Sequence, residues 1–172
     1  DLDNLPDLPA HTELIDGILV FVSPQNDFHT TMVYLLESGT RRTVPPQYRV
    51  RREMSVILGP RQRPEPDLIV VRAEAVSSPE VSAYQAEDVL LAVEVVSPDS
   101  EIRDRERKPQ LYAKAGIPHF WRVENTGGHP TVYVYELDPA TSAYALTGIH
   151  HDKLRLTVPF DIEIDLTEIE RL

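Results

Sequence analysis

The chain contains no cysteine. Disulfides and thiolate metal sites are thereby excluded, and any bound metal must be held by oxygen or histidine. The absence also fits a cytoplasmic protein, which is the expected compartment. No apolar run reaches the length that spans a bilayer. The longest, 89–96, is interrupted by Glu94, so no membrane partner is expected. The first residues show no positive segment followed by an apolar stretch, so no signal peptide is read there. Positive charge is scarce as well: 17 Lys and Arg stand against 28 Asp and Glu, a net charge of −11. Avid duplex binders are ordinarily basic, because phosphate neutralisation supplies their affinity. This balance points away from tight non-specific DNA binding. It leaves room for an enzyme whose metal ions and local basic patch manage the phosphate. No Gly-rich phosphate loop, nucleophile elbow, zincin motif, dinucleotide fingerprint or internal repeat is present.

What remains is a globular composition. The 172 residues are 41% hydrophobic and 26% charged, enough for one domain with a real core. Residues 1–10 read as an N-terminal arm and 11–172 as a single domain. Asp16-Gly17 between apolar runs predicts a hairpin. Asp27 is the expected N-cap of a helix that carries Met32, Val33, Leu35 and Leu36 on one face and stops near Gly39. Residues 48–58 are β-like, 59–66 a loop, 68–71 a short buried strand, and 73–88 a loop with a helical turn. Residues 89–96 form a Val-rich strand of the kind buried on both faces. A second helix ends at Gly116, and Pro109 sets its regular start near 105–108. Strands at 119–123, 131–137, 143–147, 153–158 and 162–164 complete a β-rich C-terminal half. The fold class is α/β or α+β, a mixed sheet flanked by helices.

Glu94 is the most informative position. Its neighbours Leu90, Leu91, Ala92, Val93, Val95 and Val96 all favour burial, and a buried carboxylate must be paired, protonated or metal-bound. Strand alternation that turns it to solvent is the competing reading. Asp67 opens the apolar run 68–71 after Pro64-Glu65-Pro66. Alone it reads as a turn residue. Beside a strand carrying Glu94, it can share a hard cation, Mg²⁺ or Mn²⁺, suited to phosphodiester hydrolysis. Lys108 reads either as a solvated lysine in a charged run or as a cation returning to the strand end. Asp104, Lys108 and Tyr112 fall on one helical face if the helix starts early enough, which Pro109 opposes. Glu13 is either a further metal carboxylate or a plain strand-end acid. His29 and Gln25 flank the first helix, with a surface role the simpler one for His29. Arg61 and Arg63, with Arg49, Arg51 and Arg52, either contact phosphates or coat a solvated face. His150 and His151 are adjacent on a strand and point apart, so no joint metal site is expected.

Taken together, the segment 64–71, then Val93-Glu94-Val95-Val96-Ser97-Pro98, then Asp104, Lys108, Tyr112, Gly116-Ile117-Pro118 and Phe120-Trp121 resemble the Uma-type "putative restriction endonuclease" family. That family, formerly a domain of unknown function, looks like a branch of the PD-(D/E)XK nuclease superfamily. The resemblance extends to Glu13-Leu-Ile-Asp-Gly17, Ser23-Pro24, His29, the strand 132–135 and Ile164-Asp165-Leu166, nearly the whole chain. It implies a restriction-endonuclease-like core and a Mg²⁺-dependent endonuclease acting on DNA. Asp67 matches the Asp of the PD motif and Glu94 the acid of the (D/E)XK motif. The carbonyl of Val95 is the implied further metal ligand, and Glu13 matches an N-terminal acid. Val96 stands where the common motif has its lysine, and Lys108 is the matching position on the next helix. DNA is the implied partner, bound weakly and transiently. A homodimer is the analogous expectation, since cutting two strands takes two sites. The other class of reading is a non-catalytic binding or assembly module that keeps the nuclease fold.

Overall fold

An Asp-Gly turn begins the architecture. In the computed structural model, which describes residues 2–172, β1 (Thr12–Ile15) and β2 (Ile18–Phe21) pair antiparallel. Asp16 and Gly17 between them both have positive φ, 54° and 77°, as a two-residue hairpin turn of the primed type demands. In the arm, Leu2–Asn4 form one helical turn, and Asp3 accepts a forked pair of hydrogen bonds from Arg63. Asp1 lies outside the described residues.

Helix α1 (Asp27–Thr43) is capped by Asn26, whose side chain accepts the His29 N–H at 2.9 Å. The cap is thus one residue earlier than the Asp27 expected. The helix also runs through Gly39, where a stop was expected. A Cβ at Gly39 would stand 2.5 Å from Cγ1 of Ile164, so this glycine serves close packing. Chain termination falls instead at Val44, ahead of Pro45-Pro46, which disfavour helical backbone before them. Gly39→Ala is expected to lower stability by about 1–3 kcal/mol through overpacking. Thermal unfolding checks this, and an unchanged Tm would refute the packing role.

Four strands follow: β3 (Tyr48–Arg52), β4 (Ser55–Ile57), β5 (Leu68–Arg72) and β6 (Ala83–Gln85). The segment expected as one β-like stretch, 48–58, breaks at Glu53, whose φ is +53°. β3 stays with β5, while β4 leaves to pair in parallel with β6. β6 lies where a loop was expected. Three residues are too few for period-two alternation to register.

Next come β7 (Val89–Val95), a helix over 101–114, and β8 (His119–Thr126), β9 (His129–Asp138) and β10 (Ala143–His150). The helix holds a π-helical turn at Arg103–Arg107 before its regular part, α2 (Lys108–Lys114). The Lys108 N–H reaches the Arg103 carbonyl, five residues back. This wide turn lets Pro109 sit in a continuous helix without a break. The hairpin β11 (Lys153–Leu156) and β12 (Ile162–Asp165) packs on α1.

The main sheet has six strands in the order β10-β9-β8-β7-β5-β3, with only β7 and β8 parallel. The helix 101–114 makes that crossover, as parallel neighbours require. Strand parity divides the core. Leu68, Val70, Leu91, Val93 and Val95 face α1 and the β11–β12 hairpin, while Ile69, Val71 and Ala92 face Tyr112, Phe120 and Tyr84. Both central strands are therefore buried on both faces. Among the described residues, no helix is long and apolar enough to cross a membrane.

Candidate active site

Register places the two strand acids together. Leu68 of β5 pairs with Val93 of β7, so one step further Asp67 stands opposite Glu94. Directly opposed residues on antiparallel strands point to the same face, here the face that carries the helix 101–114. Asp67 replaces a missing ladder bond at the strand end: its Oδ2 accepts the Val95 N–H at 2.7 Å. Its Oδ1 lies 3.0 Å from His29 Nε2 on the first turn of α1. That hydrogen bond and the Asp67 charge outweigh burial and raise the His29 imidazole above its usual range.

Glu94 is only 2% exposed, so alternation does not turn it to solvent. Its Oε1 accepts from Lys108 Nζ at 3.1 Å and from the Tyr112 hydroxyl. Lys108, 4% exposed, also lies 2.8 Å from Glu13 Oε1 and 3.6 Å from Asp104 Oδ1. Glu13 reaches in from β1 and accepts the Glu65 N–H at 2.7 Å. That bond, with the Leu14–Arg63 backbone pair, clamps the first hairpin to the loop ahead of Asp67. Asp104, Lys108 and Tyr112 are all buried along one side of the helix, because the π turn keeps the helix continuous past Pro109.

Three carboxylates, Glu13, Glu94 and Asp104, thus surround one ammonium, and Asp67 stands beside them, held by His29 and the Val95 N–H. Burial pushes the Glu94 carboxyl well above its usual range, with Lys108 opposing and the neighbouring acids adding to the rise. Burial alone would pull the Lys108 ammonium down. The charges of Glu94, Glu13 and Asp104 prevail, and it is held well above its usual range. The Tyr112 hydroxyl is pushed up by burial and by Glu94, so it stays a donor.

Asp104 is pushed up to about 6 by burial, against the Lys108 charge and a hydrogen bond from Ser100. A carboxyl raised in the folded state stabilises below the ordinary carboxylate range and loses that contribution as pH rises through its folded value. In metal-free buffer, Asp104→Asn should therefore gain on wild type by roughly 1–3 kcal/mol between pH 4.5 and 7.5. Chemical denaturation at both pH values measures it. A gap independent of pH would contradict the assignment.

These residues open onto a cleft of about 400 Å³. Seven lining side chains are carboxylates: the acids Glu13, Asp67, Glu94 and Asp104, joined by Glu53, Glu65 and Asp99. His11, Gln25, His29, Ser97, Ser100, Arg103 and Val95 also line it. The sequence pattern did not single out His11, Glu53, Asp99, Ser100 or Arg103. Glu53 hides behind a run of basic residues, and Arg103 sits in a charged run that reads as a solvated face. Ser97-Pro98-Asp99-Ser100 follows a buried strand directly, and a polar turn in that place was the available signal.

Tyr112 meets the cleft only through Glu94, and the two arginines expected at a phosphate do not line it. Arg63 forks onto Asp3 at 3.0 and 2.8 Å. Arg61 donates to the Asp16 carbonyl at 2.7 Å and covers Gly17. Both are spent on fastening the arm and the first hairpin, which a residue list cannot reveal.

The donor set was expected to take a hard cation. Among the described residues no group of three or more His, Asp or Glu side chains is placed to hold a metal ion. Mg²⁺, however, is ordinarily held by one or two carboxylates and keeps water or phosphate oxygens for the rest. Asp67 and Glu94 meet that need from adjacent strands, and among the described residues no hydrogen bond occupies Glu94 Oε2. Four acids against one lysine also leave uncompensated negative charge, so the residues fit a divalent cation.

A family model described as "Putative restriction endonuclease", Uma2, matches residues 1–167. No curated protein matches the chain. Among solved structures, the crystal structure of a "putative nuclease belonging to DUF820" from Anabaena variabilis ATCC 29413 superposes with a TM-score of 0.73. The match covers 98% of this chain and 94% of that one at 16% identity, a likeness of fold. The structural likeness supports the mixed nuclease-type fold, and the family model supports a nuclease-type function. With 167 of its 172 residues matched, the chain belongs to the Uma2 family of putative restriction endonucleases.

Proposed function

We propose that this chain is a metal-dependent endonuclease that hydrolyses phosphodiester bonds in DNA at the Asp67, Glu94 and Lys108 cleft. The observation that carries the reading is the buried pair of Glu94 and Lys108, with Asp67 set opposite Glu94 by strand register. Three acids buried around one ammonium are costly to a fold, and such clusters mark functional sites.

A divalent cation held by Asp67, Glu94 and the Val95 carbonyl would screen the phosphate charge and acidify water. The protein groups have separable roles. Lys108, kept protonated by its acidic neighbours, cannot act as a base at neutral pH. Its role is to stabilise the charge that builds on the phosphate as water adds. Glu13 and Asp104 hold the ammonium in place, and Tyr112 fixes Glu94 Oε1. The Val95 N–H and His29 hold both oxygens of Asp67, which sets its orientation. A lysine on the helix, rather than at position 96, leaves Val96 to pack as a buried apolar residue just past the end of β7.

Cleavage of single- and double-stranded DNA and of RNA in Mg²⁺ or Mn²⁺ tests the reading. Wild type should cut DNA, and Asp67→Asn and Lys108→Ala should each lose at least about a hundredfold, the scale of a lost charge-stabilising group. Equal activity in all three would assign the cutting to a contaminant. The net charge of −11 favours one second reading, a non-catalytic module of the same fold. It predicts cation binding with no cleavage of any nucleic acid.

A further inference from the structure

We propose that Arg103 is the side chain that grips a substrate phosphate in this cleft. The inference rests on the nuclease reading and adds to it the group that recognises the polyanion.

A phosphodiester entering the cleft meets seven carboxylates, so gripping it before reaction takes a cation besides Lys108, whose role is to stabilise the charge that builds during the reaction. Lys108 is enclosed by Glu13, Glu94 and Asp104. The arginines nearby in sequence are engaged elsewhere: Arg105 forks onto Glu124, and Arg107 onto Asp16. Arg61 and Arg63 are fastened outside the cleft. Arg103 lines the cleft, and its buried Nε has no partner. Among the described residues, no hydrogen bond or ion pair reaches any nitrogen of its guanidinium. The nearby Asp99 feels the Arg103 charge but spends its hydrogen bonds on Ser97 Oγ, at 3.0 Å, and Ser23, which leaves the guanidinium donors free.

An arginine kept for structure shows its partner, as Arg107 does. A half-buried guanidinium without one, on the wall of an acidic cleft, is a donor set awaiting an acceptor. Its planar fork suits two oxygens of one phosphate. The local backbone explains its placement. Arg103 opens the π-helical turn, one residue before Asp104. Arg103 and Lys108 both line the cleft, the lysine buried and the arginine half-exposed. π turns recur at functional sites.

Fluorescence anisotropy with labelled single- and double-stranded oligonucleotides, in Ca²⁺ and over a salt series, tests the assignment. Arg103→Gln should weaken binding tenfold or more and reduce the slope of log affinity against log salt by about one. Arg61→Gln should match wild type. Should the Gln variant fold poorly, wild-type protein labelled with an arginine-specific dicarbonyl gives the same answer. Mass spectrometry then finds Arg103 modified without oligonucleotide and protected with it. A wild type that binds, with Arg103→Gln unchanged or Arg103 unprotected, overturns this assignment alone. A wild type that binds neither oligonucleotide overturns the nuclease reading and Arg103 with it.

Discussion

Lys108→Met should lower the stability of the metal-free protein by about 3–5 kcal/mol at pH 8, the cost of breaking a buried ion pair. For a chain of this size that is a fall in Tm of roughly 10 °C. The physical cause is that Glu13, Glu94 and Asp104 lose the one ammonium they share. Methionine replaces the apolar stem, so packing is largely kept. The loss should depend on pH, and its sign follows from the titration of the remaining acids. Without the lysine the Glu94 and Asp104 carboxyls, already raised by burial, rise further above the ordinary range. Raised carboxyls stabilise at low pH and cost stability as pH climbs through their folded values. The deficit should therefore shrink markedly at pH 5, where these acids take up protons. Chemical denaturation at pH 5 and pH 8 decides it. Equal losses at both would mean that the lysine acts through packing and not charge.

Millimolar Mg²⁺ or Mn²⁺ should raise the Tm of wild type by several degrees and leave Asp67→Asn and Glu94→Gln unmoved. A ligand at a hundred times its dissociation constant stabilises by about 2.7 kcal/mol. The effect should grow between pH 6 and pH 8, because a cation competes with protons for the raised Glu94 carboxyl. The comparison also separates the two functional readings. An enzyme and a cation-binding module both show the shift, and only the enzyme loses cleavage with Asp67→Asn. A wild type indifferent to both cations at pH 8 would count against any metal role for the strand acids.

Several of these features were legible in the residues, for reasons that can be named. The Val-rich run 89–96 is apolar at every position but one, so the burial of Glu94 followed from pattern. The Asp16-Gly17 turn was legible because few residues tolerate two successive positive φ angles. Lys108 was different. Spacing alone favoured a solvated lysine, and Pro109 argued against the helical face that brings it to Glu94. Only resemblance pointed to it. The π turn that reconciles Pro109 with a continuous helix has no signal in local periodicity.

Other expectations failed where distant partners intervene. Gly39 read as a helix stop and is a seat for Ile164, 125 residues later in the chain. The β-like stretch 48–58 divides because its halves find different neighbours, β5 and β6. Arg61 and Arg63 looked like phosphate contacts and instead tie down the hairpin and the arm. Arg103, hidden in a charged run, faces the cleft.

The sequence by itself determined the composition class, the buried central strands, the first hairpin and the pair of acids set on apolar strands. Each is encoded in residues close along the chain, through period, turn chemistry and the cost of burying charge. The tertiary structure alone decided that Glu13, Asp67, Glu94, Asp104 and Lys108 share one cleft. It also decided which arginine is left unpaired there. Those outcomes depend on strand register and on a helix crossing, which place side chains from β1, β5, β7 and the helix 101–114 within a few ångströms. No local pattern carries that information.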